Sequence, residues 1–252
     1  MNLVEHLIGD QRLFTYKVAH DGGSAPNPYH GVCTLGICKP AIRRVVRHGD
    51  IVVGFACAPD ENRIIYCMVV DHVVPWEVYI KACADSSVQL DGIRAESLKR
   101  KVPKGPNDPG DCIWPSAENS PEVLPSWSDH GGIDDFQRDV KNGENVILGS
   151  RFWYFGNGSV HTLYLESGKL EDIIPGRGHR SNSNRDHRED FVNFFNDQLK
   201  ERGITSYGKF GEPSLGPGFS DEAIRSRCRV MEKEFDAQGE ELPERDSLSK
   251  RC

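Results

Sequence analysis

Two apolar segments decide the fold: Ile51-Val52-Val53-Gly54-Phe55-Ala56 and Ile64-Ile65-Tyr66-Cys67-Met68-Val69-Val70. Both are rich in β-branched and aromatic residues, which favour strands. The turn-forming sequence Pro59-Asp60-Glu61-Asn62 separates them, so the sequence predicts an antiparallel hairpin. The second segment is apolar without interruption, which is typical of a central strand covered on both faces.

Strand and helix signals on either side of this hairpin indicate the fold class. A further strand is predicted over residues 13–19, and residues 146–155 and 160–165 are predicted to form a second hairpin around Gly156-Asn157-Gly158. Helices are predicted over residues 40–48, 76–84, 186–202 and 221–237. Because hairpins replace βαβ units, we expect an α+β fold with a mixed or antiparallel sheet and flanking helices. We expect one α+β domain over residues 1–205, followed by a C-terminal helix and polar tail over residues 206–252.

The composition is that of a soluble globular protein rather than a fibrous or disordered one. The 252 residues are 37% hydrophobic and 27% charged, with a formal net charge of −7. This balance excludes a generic polyanion binder, which needs a dominant basic surface, but it is compatible with a local basic pocket. No apolar run approaches the ~20 residues of a membrane span, and the N-terminus has no signal-peptide pattern. Eight cysteines without a C-x-x-C pair predict reduced thiols and a cytoplasmic location.

The common catalytic signatures are absent from the sequence. There is no G-x-S-x-G turn, no H-E-x-x-H helix, no Walker A loop and no G-x-G-x-x-G after a strand. This argues against the enzyme classes that carry those motifs, and no cofactor is expected.

A basic loop over residues 177–188 is the first candidate site. It holds four arginines and one aspartate within an acidic part of the chain, and it precedes a predicted helix, whose free amides favour anions. Arginine suits phosphate through its paired donors, so we expect Arg177, His179 and Arg180 to contact phosphate, with His179 also a catalytic candidate. The alternative is a solvated loop that balances the surrounding acidic residues.

The loops between residues 20 and 39 concentrate polar and reactive side chains after a strand, where functional sites are often built. In one interpretation, Cys33 or Cys38 is a thiol nucleophile paired with His30. A metal site of His20, His30 and a cysteine is a second interpretation, and turn-forming residues with buried thiols are a third. We adopt no metal site. The residues of this region expected to bind a ligand are Asp21, Asn27, Thr34 and Lys39.

Three other features bear on a site. The predicted helix 40–48 turns Arg43 outward, where it could contact a ligand. The strand Phe152-Trp153-Tyr154-Phe155 could stack a base on one face, although an aromatic strand is typically core. Residues 99–129 contain six prolines and little predicted structure, and so long a stretch within a domain is typically functional or disordered.

One long segment resembles a known family. The run Ala25-Pro26-Asn27-Pro28-Tyr29-His30-Gly31-Val32-Cys33-Thr34-Leu35-Gly36-Ile37-Cys38-Lys39-Pro40-Ala41-Ile42-Arg43-Arg44, with Gly49-Asp50-Ile51-Val52-Val53-Gly54 after it, is similar to the second type of nucleotide modification associated domain. The resemblance covers roughly residues 12–185. It implies an α+β fold and a role in systems that modify DNA bases or handle modified ones, but no residue roles. The Gly49-Asp50 element also resembles PUA-like barrels, which bind RNA or modified bases.

The resulting hypothesis is a protein that recognises or processes a nucleotide or modified nucleobase. It is either a module that reads a modified base or an enzyme that acts on a nucleotide. The alternative is a protein-interaction module without nucleotide chemistry. We expect the loops 20–39 and 177–188 to face a common cavity, and the sequence leaves the oligomeric state open.

Overall fold

The computed structural model describes residues 11–214 apart from residues 58–59, 86–87, 119–121, 158, 166–167, 169, 177 and 183. Within this part of the chain the strands form two sheets. The strands are β1 (Leu13–Lys17), β2 (Cys33–Leu35), β3 (Ile51–Phe55), β4 (Arg63–Val69), β5 (His72–Pro75), β6 (Asn145–Gly149), β7 (Phe152–Tyr154), β8 (Leu163–Tyr164), β9 (His179–Arg180) and β10 (Gly208–Lys209). The helices are α1 (Pro40–Val45), α2 (Trp76–Ala84), α3 (Ala95–Lys99), α4 (Gly132–Phe136) and α5 (Arg188–Glu201). Short 3-10 turns occupy Tyr29–Gly31 and Glu171–Ile173, and a π-helical turn occupies Gln137–Lys141.

The predicted α+β class is confirmed, and the first hairpin is the centre of the larger sheet. Its strand order is β10-β7-β4-β3-β1-β9, with β8 also paired to β4. Strands β3 and β4 pair antiparallel, as predicted, whereas β1 runs parallel to β3 and makes the sheet mixed. The smaller sheet has the order β2-β6-β5 and is antiparallel.

The second predicted hairpin is wrong, because the segment 146–155 divides between the two sheets. Strand β6 belongs to the smaller sheet and β7 to the larger one, and β8 pairs with β4 instead of β7. The chain crosses between sheets at Ser150 and Arg151, where the Asp71 carboxylate accepts hydrogen bonds from the Ser150 amide (2.7 Å) and the Arg151 guanidinium (2.6 Å). A turn that depends on a carboxylate from the distant β4–β5 connection leaves no local sequence signal.

The core consists of three apolar layers. Helix α5 covers one face of the larger sheet through Phe191, Phe195 and Leu199, the residues that its periodicity predicted. The second layer lies between the two sheets, and α2 covers the far face of the smaller sheet. All of β7 is buried, and Trp153 packs edge-on against Phe195 at a centroid distance of 5.3 Å. This aromatic strand is therefore core, and it does not offer a face for base stacking.

The outward placement of Arg43 that the helix pattern predicted is wrong. Its side chain is fully buried between α1, β6 and the π-helical turn. The guanidinium donates to the carbonyl oxygens of Cys38 (2.7 Å), Asn145 (2.6 Å) and Asp139 (2.7 Å). Burial lowers the pKa of Arg43 to about 10, although the nearby Asp139 charge opposes this shift, so the group remains a cation at neutral pH. Arg43 is thus an internal brace and is not available to a ligand.

Two predictions fall on residues that the structure does not describe. The helix predicted over 221–237 and the side chain of Arg177 lie outside the described residues. Strand β10 and the bridge between Asn157 and Glu212 show that the larger sheet takes in residues beyond 205. The division of the chain at that position stays a prediction.

The buried position of Arg43 predicts that the stability of the protein is sensitive to substitution of Gly143. A Cβ atom at this position would overlap the Arg43 guanidinium, whereas a Cβ at Gly105 would meet nothing within 4 Å. We expect Gly143→Ala to lower the free energy of unfolding by about 1–3 kcal/mol, because the overlap forces the buried cation away from its carbonyls. Gly105→Ala is the matched control. Thermal and urea unfolding of both variants measure the effect, and equal stabilities would contradict this account of Arg43.

Candidate active site

Cys38 lies on a tight turn between β2 and α1. Cys38 and Lys39 both have left-handed backbone conformations, with φ of 58° and 46°, and Pro40 begins the helix. Such angles are costly for residues other than glycine and persist only where neighbouring groups hold them. Here the Asp139 carboxylate accepts the Cys38 amide at 2.9 Å, and Arg43 binds the Cys38 carbonyl. The turn therefore fixes a thiol that is partly exposed.

An imidazole and a buried carboxylate stand in line behind this thiol. The Cys38 Sγ lies 3.4 Å from His130 Nε2, and His130 Nδ1 lies 2.5 Å from Asp139 Oδ2. Asp139 is fully buried on the π-helical turn, and its other oxygen is the one that holds the Cys38 amide. Thiol, imidazole and carboxylate in this order are the parts of a nucleophile, a general base and the group that orients the base.

The charges around His130 favour its protonated form. Burial lowers the pKa of His130, but the Asp139 carboxylate more than offsets burial, so the pKa lies above its ordinary value of 6.5. Burial raises the pKa of Asp139, and His130 and Arg138 reverse that shift, so the pKa lies below 3.8. The Arg138 guanidinium approaches Asp139 Oδ1 at 3.3 Å and pairs with Asp135 at 2.6 Å. The imidazole can thus receive a proton and keep it beside a carboxylate.

The two other catalytic candidates from the loop 20–39 lie elsewhere. Cys33 is fully buried in the layer between the sheets, and burial raises the pKa of its thiol to about 12, so the structure gives no support for a nucleophile there. The imidazole that contacts the Cys38 thiol is that of His130 rather than His30. His30 lies on the Tyr29–Gly31 turn, where burial lowers its pKa to about 4.

Asn27 and Thr34 belong to a buried polar network rather than to a binding surface. The fully buried ammonium of Lys101 donates to Asn27 Oδ1 (2.6 Å), to the Val32 carbonyl (2.9 Å) and to Thr34 Oγ1 (3.1 Å). The Thr34 hydroxyl donates in turn to the Asp111 carboxylate. Burial lowers the pKa of Lys101, and the charge of Asp111 counteracts this shift. The network ties the loop 20–39 to the proline-rich segment 99–129.

Asp21 is similarly engaged within the fold. Its carboxylate accepts hydrogen bonds from the Tyr154 hydroxyl and from the amide of Ser214 at 3.2 Å. The residue is 5% exposed, and burial raises the pKa of its carboxyl group. The four predicted ligand-binding residues Asp21, Asn27, Thr34 and Arg43 are therefore buried and hydrogen-bonded inside the protein.

Lys39 and His179 both lie close to Tyr16. The Lys39 Nζ lies 5.1 Å from the centre of the Tyr16 ring, and β9 places His179 opposite Tyr16. Burial and the Lys39 charge lower the pKa of His179, whose ring stacks on Phe14 at 6.3 Å. Arg180 donates to the carbonyl of Asp172. One residue from each predicted loop thus lies near Tyr16, and Lys39 directly follows Cys38 in the chain.

Comparison with known proteins identifies the family. The family model for nucleotide modification associated domain 2 matches residues 10–213. The chain belongs to this family. The resemblance seen at residues 25–54 is therefore confirmed, and it extends over most of the chain. No curated protein and no solved structure matches the chain, so the likeness to PUA-like barrels stays a prediction.

Two features are absent from the part of this nucleotide modification associated domain that the structure describes. No helix in the described ranges has the length and apolar character needed to cross a membrane. The same ranges contain no group of three or more His, Cys, Asp or Glu side chains that could hold a metal ion.

The pair His130–Asp139 predicts a pH dependence of stability in this family member. The raised pKa of His130 means that its contribution is complete below pH 6.5 and is lost as pH rises through the folded value. The lowered pKa of Asp139 means that its contribution is present above pH 3.8 and is lost as pH falls through the folded value. We expect His130→Asn to lower the free energy of unfolding by roughly 1.5–3 kcal/mol between about pH 4 and 6.5, and by less above that range.

Urea unfolding at several pH values measures this difference. His48→Asn is the matched control, because the exposed His48 imidazole contacts the carbonyl of Asp71 rather than a carboxylate. A stability loss at His130 that does not vary with pH would contradict the ion pair.

Proposed function

We propose that this protein is a thiol enzyme that processes a nucleotide or modified nucleobase, with Cys38 as its nucleophile. One observation carries this function: a partly exposed thiol on a strained turn contacts His130, which contacts the buried Asp139. Membership of the nucleotide modification associated family supports a nucleotide as the substrate. A working thiol needs a reducing environment, which supports the cytoplasmic location expected from the cysteines.

The geometry suits acyl transfer. His130 takes the Cys38 proton, and the sulfur attacks the carbonyl carbon of an amide or ester group carried by the nucleotide. A C–S bond forms while the bond to the leaving amine or alcohol breaks, and the leaving group takes the proton from His130. Water, deprotonated by His130, then attacks the thioester and releases the acid, which restores the thiol. Asp139 keeps the imidazole oriented throughout.

The surroundings of Cys38 favour an anionic substrate. Lys39 follows the nucleophile directly and supplies a positive charge over the Tyr16 ring. His179, whose pKa lies below 6.5, is neutral at physiological pH and acts as a hydrogen-bonding group. We infer that Lys39 and His179 contact a substrate phosphate, with Arg177 and Arg180 on the same loop as further candidates.

Selective alkylation tests the thiol without knowledge of the substrate. Iodoacetamide should modify Cys38 faster than Cys57, because His130 accepts the Cys38 proton. Cys57 is a suitable internal control, since it is also partly exposed and its thiol donates to the backbone carbonyl of Val18 at 3.6 Å. His130→Asn should slow alkylation of Cys38 by about tenfold and leave Cys57 unchanged. Peptide mass spectrometry reads both sites, and equal rates in the wild type would contradict an activated thiol.

Turnover tests the chemistry itself. Cys38→Ser should reduce the hydrolysis of acylated nucleotides by at least ~10³-fold, and Asp139→Asn by about 10²–10⁴-fold. Cys33→Ser is the control in the same assay, because its thiol is remote from solvent. Retained turnover in Cys38→Ser would exclude the thiol mechanism. Binding without turnover in the wild type would instead favour a module that reads the modified base.

A further inference from the structure

A groove separate from the Cys38 turn runs beside the Tyr29–Gly31 turn. Its volume is about 530 Å³, and it is lined by Tyr29, His30, Arg100, Lys104, Asp108 and Pro109. This volume lies in the range of sites for small organic ligands, so it admits a nucleotide unit but not a base-paired duplex.

The rim of the groove is positively charged. Arg100 and Lys104 are exposed and form no ion pair with any residue that the structure describes. Their neighbours differ, since Lys99 pairs with Glu96 at 2.9 Å and Lys101 is buried in its network. The one carboxylate of the groove, Asp108, accepts the backbone amides of Lys104 (3.1 Å) and Gly110 (3.0 Å) and so shapes the loop. Two cations are thus left facing solvent on one edge.

Two aromatic rings form the wall of the groove. The rings of Tyr29 and His30 lie 6.1 Å apart, and Trp127 packs edge-on against Tyr29 at 5.2 Å. His30 is held at a φ of 66°, and its Nε2 is buried without a hydrogen-bond partner in the described structure. Burial and the charges of Lys101 and Arg100 lower the pKa of His30 to about 4, so the ring is neutral at physiological pH. A neutral ring at the wall of the groove can stack on a base.

We propose that this groove binds the backbone and a base of a single-stranded polynucleotide, so that the substrate of the Cys38 centre is a polymer rather than a free nucleotide. Cations that follow phosphates beside rings that stack on bases are the features by which proteins hold single strands. The substrate assignment rests on the proposed function, whereas binding in the groove does not. Lys101 joins the two sites physically, because it bonds the carbonyls of Asn27 and Val32 on either side of the Tyr29–Gly31 turn, in the segment that leads to Cys38.

Charge reversal at the rim tests the proposal. The probe is a fluorescent oligothymidylate of ~12 nucleotides, titrated at several salt concentrations beside thymidine monophosphate. Arg100→Glu with Lys104→Glu should weaken oligonucleotide binding at least tenfold and reduce the salt slope by about 1.4, the value for two phosphate contacts on a single strand. The control is Lys81→Glu with Lys200→Glu, which makes the same charge change at exposed positions of α2 and α5 and should leave binding within about twofold of the wild type.

The outcomes separate the groove from the thiol mechanism. Unchanged oligonucleotide affinity in the rim variant, with a melting curve like that of the wild type, would overturn the groove. An equal loss of thymidine monophosphate binding, or equal binding of polyglutamate by the wild type, would also overturn a polynucleotide ligand. Cys38→Ser should bind the oligonucleotide normally, so the loss of turnover in that variant and the loss of binding in the rim variant report on different sites. The Arg100→Gln variant, which removes one charge without reversing it, should give a smaller loss of oligonucleotide binding than the double charge reversal.

Discussion

The candidate site depends on the hydrogen bonds that the buried Arg43 guanidinium donates. The guanidinium binds carbonyl groups of three chain segments: the Cys38 turn, the π-helical turn that carries Asp139, and the start of β6. Burying this charge costs desolvation energy, which its well-directed partners offset. Removing the guanidinium would take that donor from the Cys38 and Asn145 carbonyls, whereas the Asp139 carbonyl would keep the Trp76 indole N–H at 2.9 Å. The brace therefore fixes the distance between nucleophile and carboxylate through the backbone, independently of the His130 ring between them.

The polar residues of the loop 20–39 divide between structure and chemistry. Asn27 and Thr34 turn inward to Lys101, and they make the loop rigid. Cys38 and Lys39 remain partly exposed at the end of the same loop. Rigid support behind a small exposed turn is what a preorganised site requires, because the reacting group then needs little rearrangement. The buried lysine contributes to the site although it touches neither the thiol nor its imidazole.

Local patterns predicted the parts of the fold that depend on local chemistry. The hairpin β3–β4 follows from its continuous apolar runs and the turn residues between them, and the apolar face of α5 follows from a period of 3.6 residues. Helix α2 also has the predicted bounds. The predicted outward placement of Arg43 is wrong, because two of its three acceptors lie about 100 positions away and all three are backbone atoms. His130 and Asp139 were missed for a similar reason. Each is a single polar residue that follows the proline-rich segment 99–129, and the length of that segment was the one sequence feature nearby that indicated a function.

The spacing of the site along the chain has a consequence during synthesis. Cys38 and His130 are 92 positions apart, and the carboxylate follows nine residues after the imidazole. Cys38 is therefore synthesised together with the first strands, long before His130 is added to the chain. The emerging polypeptide carries an ordinary cysteine, and the thiol gains its base only when the chain has closed a loop of this size. Under the proposed mechanism, the nascent chain therefore carries no activated nucleophile until residues 130–139 have emerged and packed against the Cys38 turn.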